Sequence, residues 1–314
     1  MFENSKWIAS EENCGVDGRY SNPDASTLMR FVFEISKPVV EANLYICGLG
    51  IGTYWINENP VSDEVLATPF TNYDRRVLYS KYDIISYVRN GKNSLAIHLG
   101  NGRYNHKWSL WQHHQKVIFE IVCRFADGEE KSYASMPNVK SHIGPMIFNH
   151  SKGGEIYDSR LEPKDWKKPE FNDSAWKNTI VCRSPGGKLE PVSCPPIRRC
   201  KIIKPVKIGD NRWDAGENVS GWVKVKACGK CGCELRITYA EYINPDGSFN
   251  DRINIFAPYD VKNRDIYILD GDFVEQYEPS FVYHGFRYFD IETDADIVDI
   301  SVVCVHNDVE KIGE

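Results

Sequence analysis

The stretch GWVKVKACGKCGCELRITYAEYI, from Gly221 to Ile243, decides the fold. Val223, Val225 and Ala227 alternate with Lys224, Lys226 and Cys228, the period-two pattern of a strand with one buried face. Leu235, Ile237 and Tyr239 repeat that pattern after the break. In between, CGKCGC places two glycines where the chain has to turn. Its C-x2-C-x-C spacing (Cys228, Cys231, Cys233) also resembles metal ligation, but a structural zinc site needs four ligands, usually as two close pairs. Cys194 and Cys200 upstream lack that spacing, so a turn carrying thiols is the stronger reading.

The same signals recur along the chain. TLMRFVFEI (Thr27 to Ile35), ANLYICGL (Ala42 to Leu49), GTYWIN (Gly52 to Asn57), SLAIHLG (Ser94 to Gly100) and KVIFEIVCRF (Lys116 to Phe125) are short, rich in β-branched and aromatic residues, and bounded by turn formers. Asp127-Gly128 predicts a hairpin. GLGIG (Gly48 to Gly52) lacks a following helix and reads as a kinked strand junction. Only YDIISYVRNG (Tyr82 to Gly91) suggests a helical turn in the first half. Many short strands at roughly 8–12-residue spacing predict an all-β chain of two consecutive antiparallel jelly-roll sandwiches, galactose-binding-like in class. The first is expected over 1–183, including a polar connecting segment, 151–183, whose Trp166 and Trp176 pin it to a sandwich; the second covers 184–314.

Length and composition agree with this plan. The 314 residues suit about two domains. A net charge of −6 without a basic block speaks against nucleic acid. The start, MFENSKWIAS, does not read as a signal peptide, and no apolar run approaches the ~20 residues of a membrane span. A cytoplasmic protein is therefore expected, with its ten cysteines as mostly buried thiols.

Chemistry concentrates in NGRYNHKWSLWQHH, Asn101 to His114. It reads either as a surface loop packing its aromatics on the sandwich or as a sugar-binding loop. On the second reading Tyr104, Trp108 and Trp111 stack on a pyranose, while Asn101, Arg103 and His106 serve its hydroxyls. SFVYHGFRYFDIE, Ser280 to Glu292, sets His284 and Arg287 among aromatics. They read as a mainly structural, hydrogen-bonded pair fixing a strand buried on both faces, with Gly285 admitting a bulge.

Taken in order, these motifs resemble the N-terminal β-sandwich region of bacterial α-L-rhamnosidases, glycoside hydrolase family 78. The likeness rests on ANLYICGLGIGTYWINENPVSDEVLATPFTNYDRRVLYSKYDI, NSLAIHLGNGRY, GGEIYDSRLEPKDW, FNDSAW, PPIR, DAGENVSGWVKVKACGKCGCELRITYAEYINPDGS and YEPSFVYHGFRYFDI. There are departures: Asn57-Glu58 stands for Asn-Gly, Ser62-Asp63 for Gly-Asp, Arg103 for a Trp and Glu217 for a Gln. The resemblance implies two jelly rolls preceding an (α/α)6 barrel that holds the catalytic acid and base, so no catalytic residue is expected within these 314. It further implies a first jelly roll similar to a rhamnose-binding module of family 67. There Asp63 would ligate Ca2+, with backbone carbonyls of the Asn101-to-Trp111 loop, and contact rhamnose-containing glycans. His284, Arg287 and Trp222 would support the strand and an interface to the barrel. The alternatives are a stand-alone carbohydrate-binding protein and a structural module docking on a separate catalytic chain.

Overall fold

The structure of the protein, a computed structural model, describes residues 1–12, 25–104, 114–249, 263–271, 273–310 and 312–313. It is all-β and forms two compact units, the first made of 1–144 and 163–194, the second of 145–162 and 195–314. The segment expected to connect them contributes to both.

Two sheets face each other in the first unit. One carries Val39–Leu49 between Lys116–Phe125 and Arg76–Asp83; the other carries Gly91–Gly100 between Thr27–Ile35 and Ile51–Ile56. Met29, Phe31, Phe33, Leu44, Ile46, Leu95, Ile97, Phe119 and Ile121 fill the space between them. Gly50 takes the chain from one sheet to the other. Its φ is 110°, and a Cβ there would lie 1.9 Å from the Gly100 carbonyl oxygen, so only glycine fits. The expected helical turn after Tyr82 is a single one, closed by the Tyr87 and Val88 amides on the Ile84 carbonyl. The Asn57-Glu58 turn keeps the left-handed geometry its lost glycine would favour: φ is 49° and 72° at these two residues.

Outside the core, residues 163–178 lie against the second of these sheets. Trp166 and Trp176 are buried there with Leu28 and Ala96. Arg30 holds the segment from below. Its guanidinium donates to the carbonyls of Trp166 and Lys168 (2.9 Å to Lys168) and to Asp173 (3.2 Å), and it lies over the Phe171 ring.

Ten strands of the second unit are hydrogen-bonded into one continuous sheet. Arg212–Cys228 is its spine: it pairs with Asp296–Asn307 on one side, and with His284–Glu292 then Val274–Tyr277 on the other. The two strands read between Gly221 and Ile243 do not pair with each other. Glu234–Ala240 instead bonds to His284–Glu292 and Arg264–Ile268. The turn is present, but it carries the chain across a core of Val223, Val225, Leu235, Ile237, Phe286, Phe289 and Val302. Most pairings are antiparallel, as expected, whereas two are parallel: Gly154–Asp158 with Arg264–Ile268 and Lys188–Pro191 with Arg76–Asp83. Both join strands far apart in sequence, where no tight turn imposes direction. No described helix is long and apolar enough to cross a membrane.

Candidate functional site

The loop that follows Gly91–Gly100 begins in a tight place. Gly102, at φ 50°, packs against Gly50, and a Cβ on it would lie 2.7 Å from the Gly50 carbonyl carbon. Asn101 is buried, and its side-chain oxygen accepts from Gln115 Nε2 at 2.6 Å. Tyr104 is fully buried, edge-on to Tyr73 at 5.1 Å between centroids, with the Lys116 ammonium over its ring at 5.6 Å. Asn101 and Tyr104 are thus braces of the loop. Arg103, between them, points outward. It is exposed, and its guanidinium sits 5.6 Å from the centroid of Phe70, an exposed ring packed edge-on to Tyr73. Phe70 was not singled out from sequence; its signal is its place in TPFTNY, three residues before the buried Tyr73.

Asp63 is exposed in the loop after Asn59–Pro60. His106, Trp108 and Trp111 lie outside the described residues, as does most of the loop whose carbonyls were expected to complete a calcium site. Among the described residues no three His, Cys, Asp or Glu side chains gather to hold a metal, CGKCGC included. The half-buried carboxyl beside Asp63 is Glu64, which accepts the Tyr82 hydroxyl and whose pKa desolvation pushes up.

In the second unit His284 and Arg287 do not bond each other. His284 is buried, stacked on Tyr239 at 3.9 Å, with Nε2 3.0 Å from Asp265 Oδ2 and Nδ1 2.5 Å from Asn263 Oδ1. Arg287 forks onto Asp214 at 2.9 and 3.0 Å. The reason is a phase change. His284 and Phe286 share the buried face, but so do Phe289 and Ile291, so the alternation slips at Arg287-Tyr288 rather than at Gly285. Opposite that slip, the spine strand accommodates residues 215–218 between its partners of Tyr288 and Phe286. Trp222 is buried, and its Nε1 donates to Glu278 at 3.0 Å.

Two acids that the sequence reading did not single out as site residues make the centre of this unit. Asp265 accepts the Tyr239 hydroxyl at 2.7 Å and the Glu155 amide at 3.1 Å. Glu155, fully buried, accepts the Tyr277 hydroxyl and the amides of Ser280 and Phe281. Burial, together with the nearby charge of Asp265, pushes the Glu155 carboxyl up to about 8. The folded chain therefore binds that proton more tightly than the unfolded chain. The stability it contributes is complete below the ordinary value of 4.5 and is lost as pH rises through about 8. In that window Glu155 is expected to lower stability by up to about 1.4 kcal/mol per pH unit. Melting curves from pH 5 to 9 check this: Glu155→Gln should have a flatter profile than the wild type, and parallel profiles would refute the assignment.

Comparison with known proteins places these features. Residues 37–201 match the alpha-L-rhamnosidase N-terminal domain and 207–306 the bacterial alpha-L-rhamnosidase concanavalin-like domain. An alpha-L-rhamnosidase of Formosa agariphila is 30% identical over 99% of this chain and 34% of that protein. One of Streptomyces avermitilis is 30% identical over 92% of the chain and 29% of that protein. Among solved structures, the alpha-L-rhamnosidase of Dictyoglumus thermophilum superposes with a TM-score of 0.87 at 35% identity, covering 98% of this chain and 36% of that one. The Streptomyces avermitilis enzyme, solved with L-rhamnose, gives 0.84 at 28% identity over 91% of this chain and 29% of that one. The chain spans about a third of the length of the relatives it matches. Two adjoining domain matches, in the order and at the places of the two β-units' main strands, mean that the chain belongs to the bacterial alpha-L-rhamnosidase family, as its N-terminal β-portion.

Proposed function

We propose that this chain acts as the sugar-contacting and supporting portion of an alpha-L-rhamnosidase, with rhamnose-containing glycans as its ligands. The observation that carries the reading is Arg103: a planar, multi-donor guanidinium held outward above the exposed Phe70, on a base made rigid by buried Tyr73 and Tyr104. Such a pair offers hydrogen bonds to vicinal hydroxyls and an apolar face to the methyl-bearing side of a deoxysugar. The sequence adds Asp63, His106, Trp108 and Trp111 as candidate sugar contacts, the last three outside the described residues.

Calorimetric titration with L-rhamnose, in calcium and in EDTA, tests it. Binding is expected, with Arg103→Ala and Phe70→Ala each weakening it about tenfold, the effect of losing about 1.4 kcal/mol. Unchanged affinity in both variants, or no binding by the parent chain, overturns the reading.

A supporting role for a helical catalytic domain draws on a different observation. Ile202 and Val206 of the second unit are 70% and 65% exposed, apolar side chains that a covering domain would bury. Aryl α-L-rhamnoside hydrolysis is expected only when such a domain is supplied, and turnover by these 314 residues alone would refute this assignment.

A further inference from the structure

Gly285 stands inside the strand His284–Glu292 without a backbone reason to be glycine. Its φ lies outside the left-handed region. Its register is regular: Val219, Ser220 and Gly221 face Phe286, Gly285 and His284 in unbroken order, and the shift in that pairing falls between Asp214 and Val219. Glycine weakens a strand, and where neither a bulge nor a bend needs it, the remaining reason is a close approach by another group. Here that group is Glu241. A Cβ on Gly285 would lie 2.9 Å from Glu241 Oε1 and 3.9 Å from its Cδ, and no other described atom beyond the chain neighbours would come within 4 Å. The space above the glycine is open apart from one carboxylate.

Ser220 and Gly285, directly opposite, are the smallest pair of this ladder, and both are exposed. Together they make a low floor on the solvent side of the sheet, behind which Phe286 and Phe289 fill the core. Arg287, two residues on, shares the open face with Gly285. Asp214 takes its Nε and Nη2 at 2.9 and 3.0 Å, and the guanidinium lies 5.1 Å from the centroid of Tyr288. Its plane is fixed, and Nη1 keeps no partner among the described residues. Tyr283, two residues before the glycine, is 47% exposed. Glu241 is exposed too, and no hydrogen bond or ion pair joins it to a described residue.

We propose that the Ser220–Gly285 floor is a sugar site of the second unit, its ligand class a neutral pyranose with neighbouring free hydroxyls. A hydroxyl both donates and accepts. One sugar hydroxyl donates to the Glu241 carboxylate, and its neighbour accepts from Arg287 Nη1. The two charges that border the floor are of opposite sign, which suits a neutral polar ligand better than an ion of either sign. The missing side chain at Gly285 lets the ring lie close to the sheet, and the Tyr283 ring offers an apolar surface to its C–H face. None of these residues belongs to the Arg103 surface; only the choice of a rhamnoside as probe rests on the function proposed above.

Amide NMR of the full chain, titrated with methyl α-L-rhamnoside, tests the site. The Gly285 and Ser220 amides are expected to shift saturably. Glu241→Gln should weaken that response about tenfold, the scale of one hydrogen bond to a charged acceptor. Gly285→Ala adds a methyl group to the floor at a backbone conformation that alanine adopts, so the melting temperature should hold while Ser220 ceases to respond. A response at Gly102 alone, or an unchanged titration at Ser220 in both variants, overturns this site and leaves the Arg103 surface standing. A response at Gly285 and Ser220 alone supports this site and counts against the Arg103 surface, and silence at all three amides overturns both.

Discussion

Asp265→Ala is expected to destabilise the second unit by about 3–5 kcal/mol, the scale seen when one partner of a buried charged network is removed. The carboxylate is fully buried and satisfies three groups at once: the Tyr239 hydroxyl, the Glu155 amide and the His284 imidazole. Its loss strands all three where water does not reach, and each stranded donor carries a penalty of about 1–3 kcal/mol. Asp265→Asn keeps the shape and one acceptor, so it should cost less than half as much. Hydrogen exchange of the strands Glu234–Ala240 and His284–Glu292 reports the change locally. Equal protection in Asp265→Ala and the wild type would show the network to be energetically idle.

In the first unit the comparable residue is Arg30, and Arg30→Ala is expected to cost about 3–5 kcal/mol. Its side chain is fully buried, and that burial lowers its pKa despite the pull of Asp173. Removing it leaves the carbonyls of Trp166 and Lys168 and the Asp173 carboxylate without their donor, and takes the cation from the Phe171 ring. The segment 163–178 should then lose exchange protection before the sandwich core does. Arg30→Lys should rescue little, because one ammonium cannot reach several acceptors that a planar fork serves. A segment as protected in Arg30→Ala as in the wild type would assign its docking to Trp166 and Trp176 alone.

The strands were legible because burial follows a two-residue period wherever one face meets a core. Val223, Val225, Ala227, Leu235, Ile237 and Tyr239 are all buried, as their alternation requires. Pairing was less legible, since the partner of a strand is set by the whole sheet. The two strands around CGKCGC are adjacent in sequence and bonded to different neighbours. The buried acids escaped because each sits singly in an ordinary strand. Asp265 did carry a faint signal: it shares the buried phase of RDIYI with Tyr267, where an apolar residue belongs. Arg30 carried a similar one in TLMRFVFEI. At the sugar loop, sequence marked the residue types but could not separate the braces, Asn101 and Tyr104, from the outward Arg103. That division depends on a glycine contact between Gly50 and Gly102, half a domain apart in the chain.

The path of residues 145–162 has a consequence for inheritance. This short run supplies two strands and the central Glu155 to the second unit, yet the chain then returns to the first before leaving it again. No single crossover in a gene can exchange one unit whole. A break near 144 sends Trp166 and Trp176 away with the wrong partner, and a break near 194 separates Glu155 from Asp265. Exchanging one unit whole would therefore take breaks near 144, 162 and 194 together.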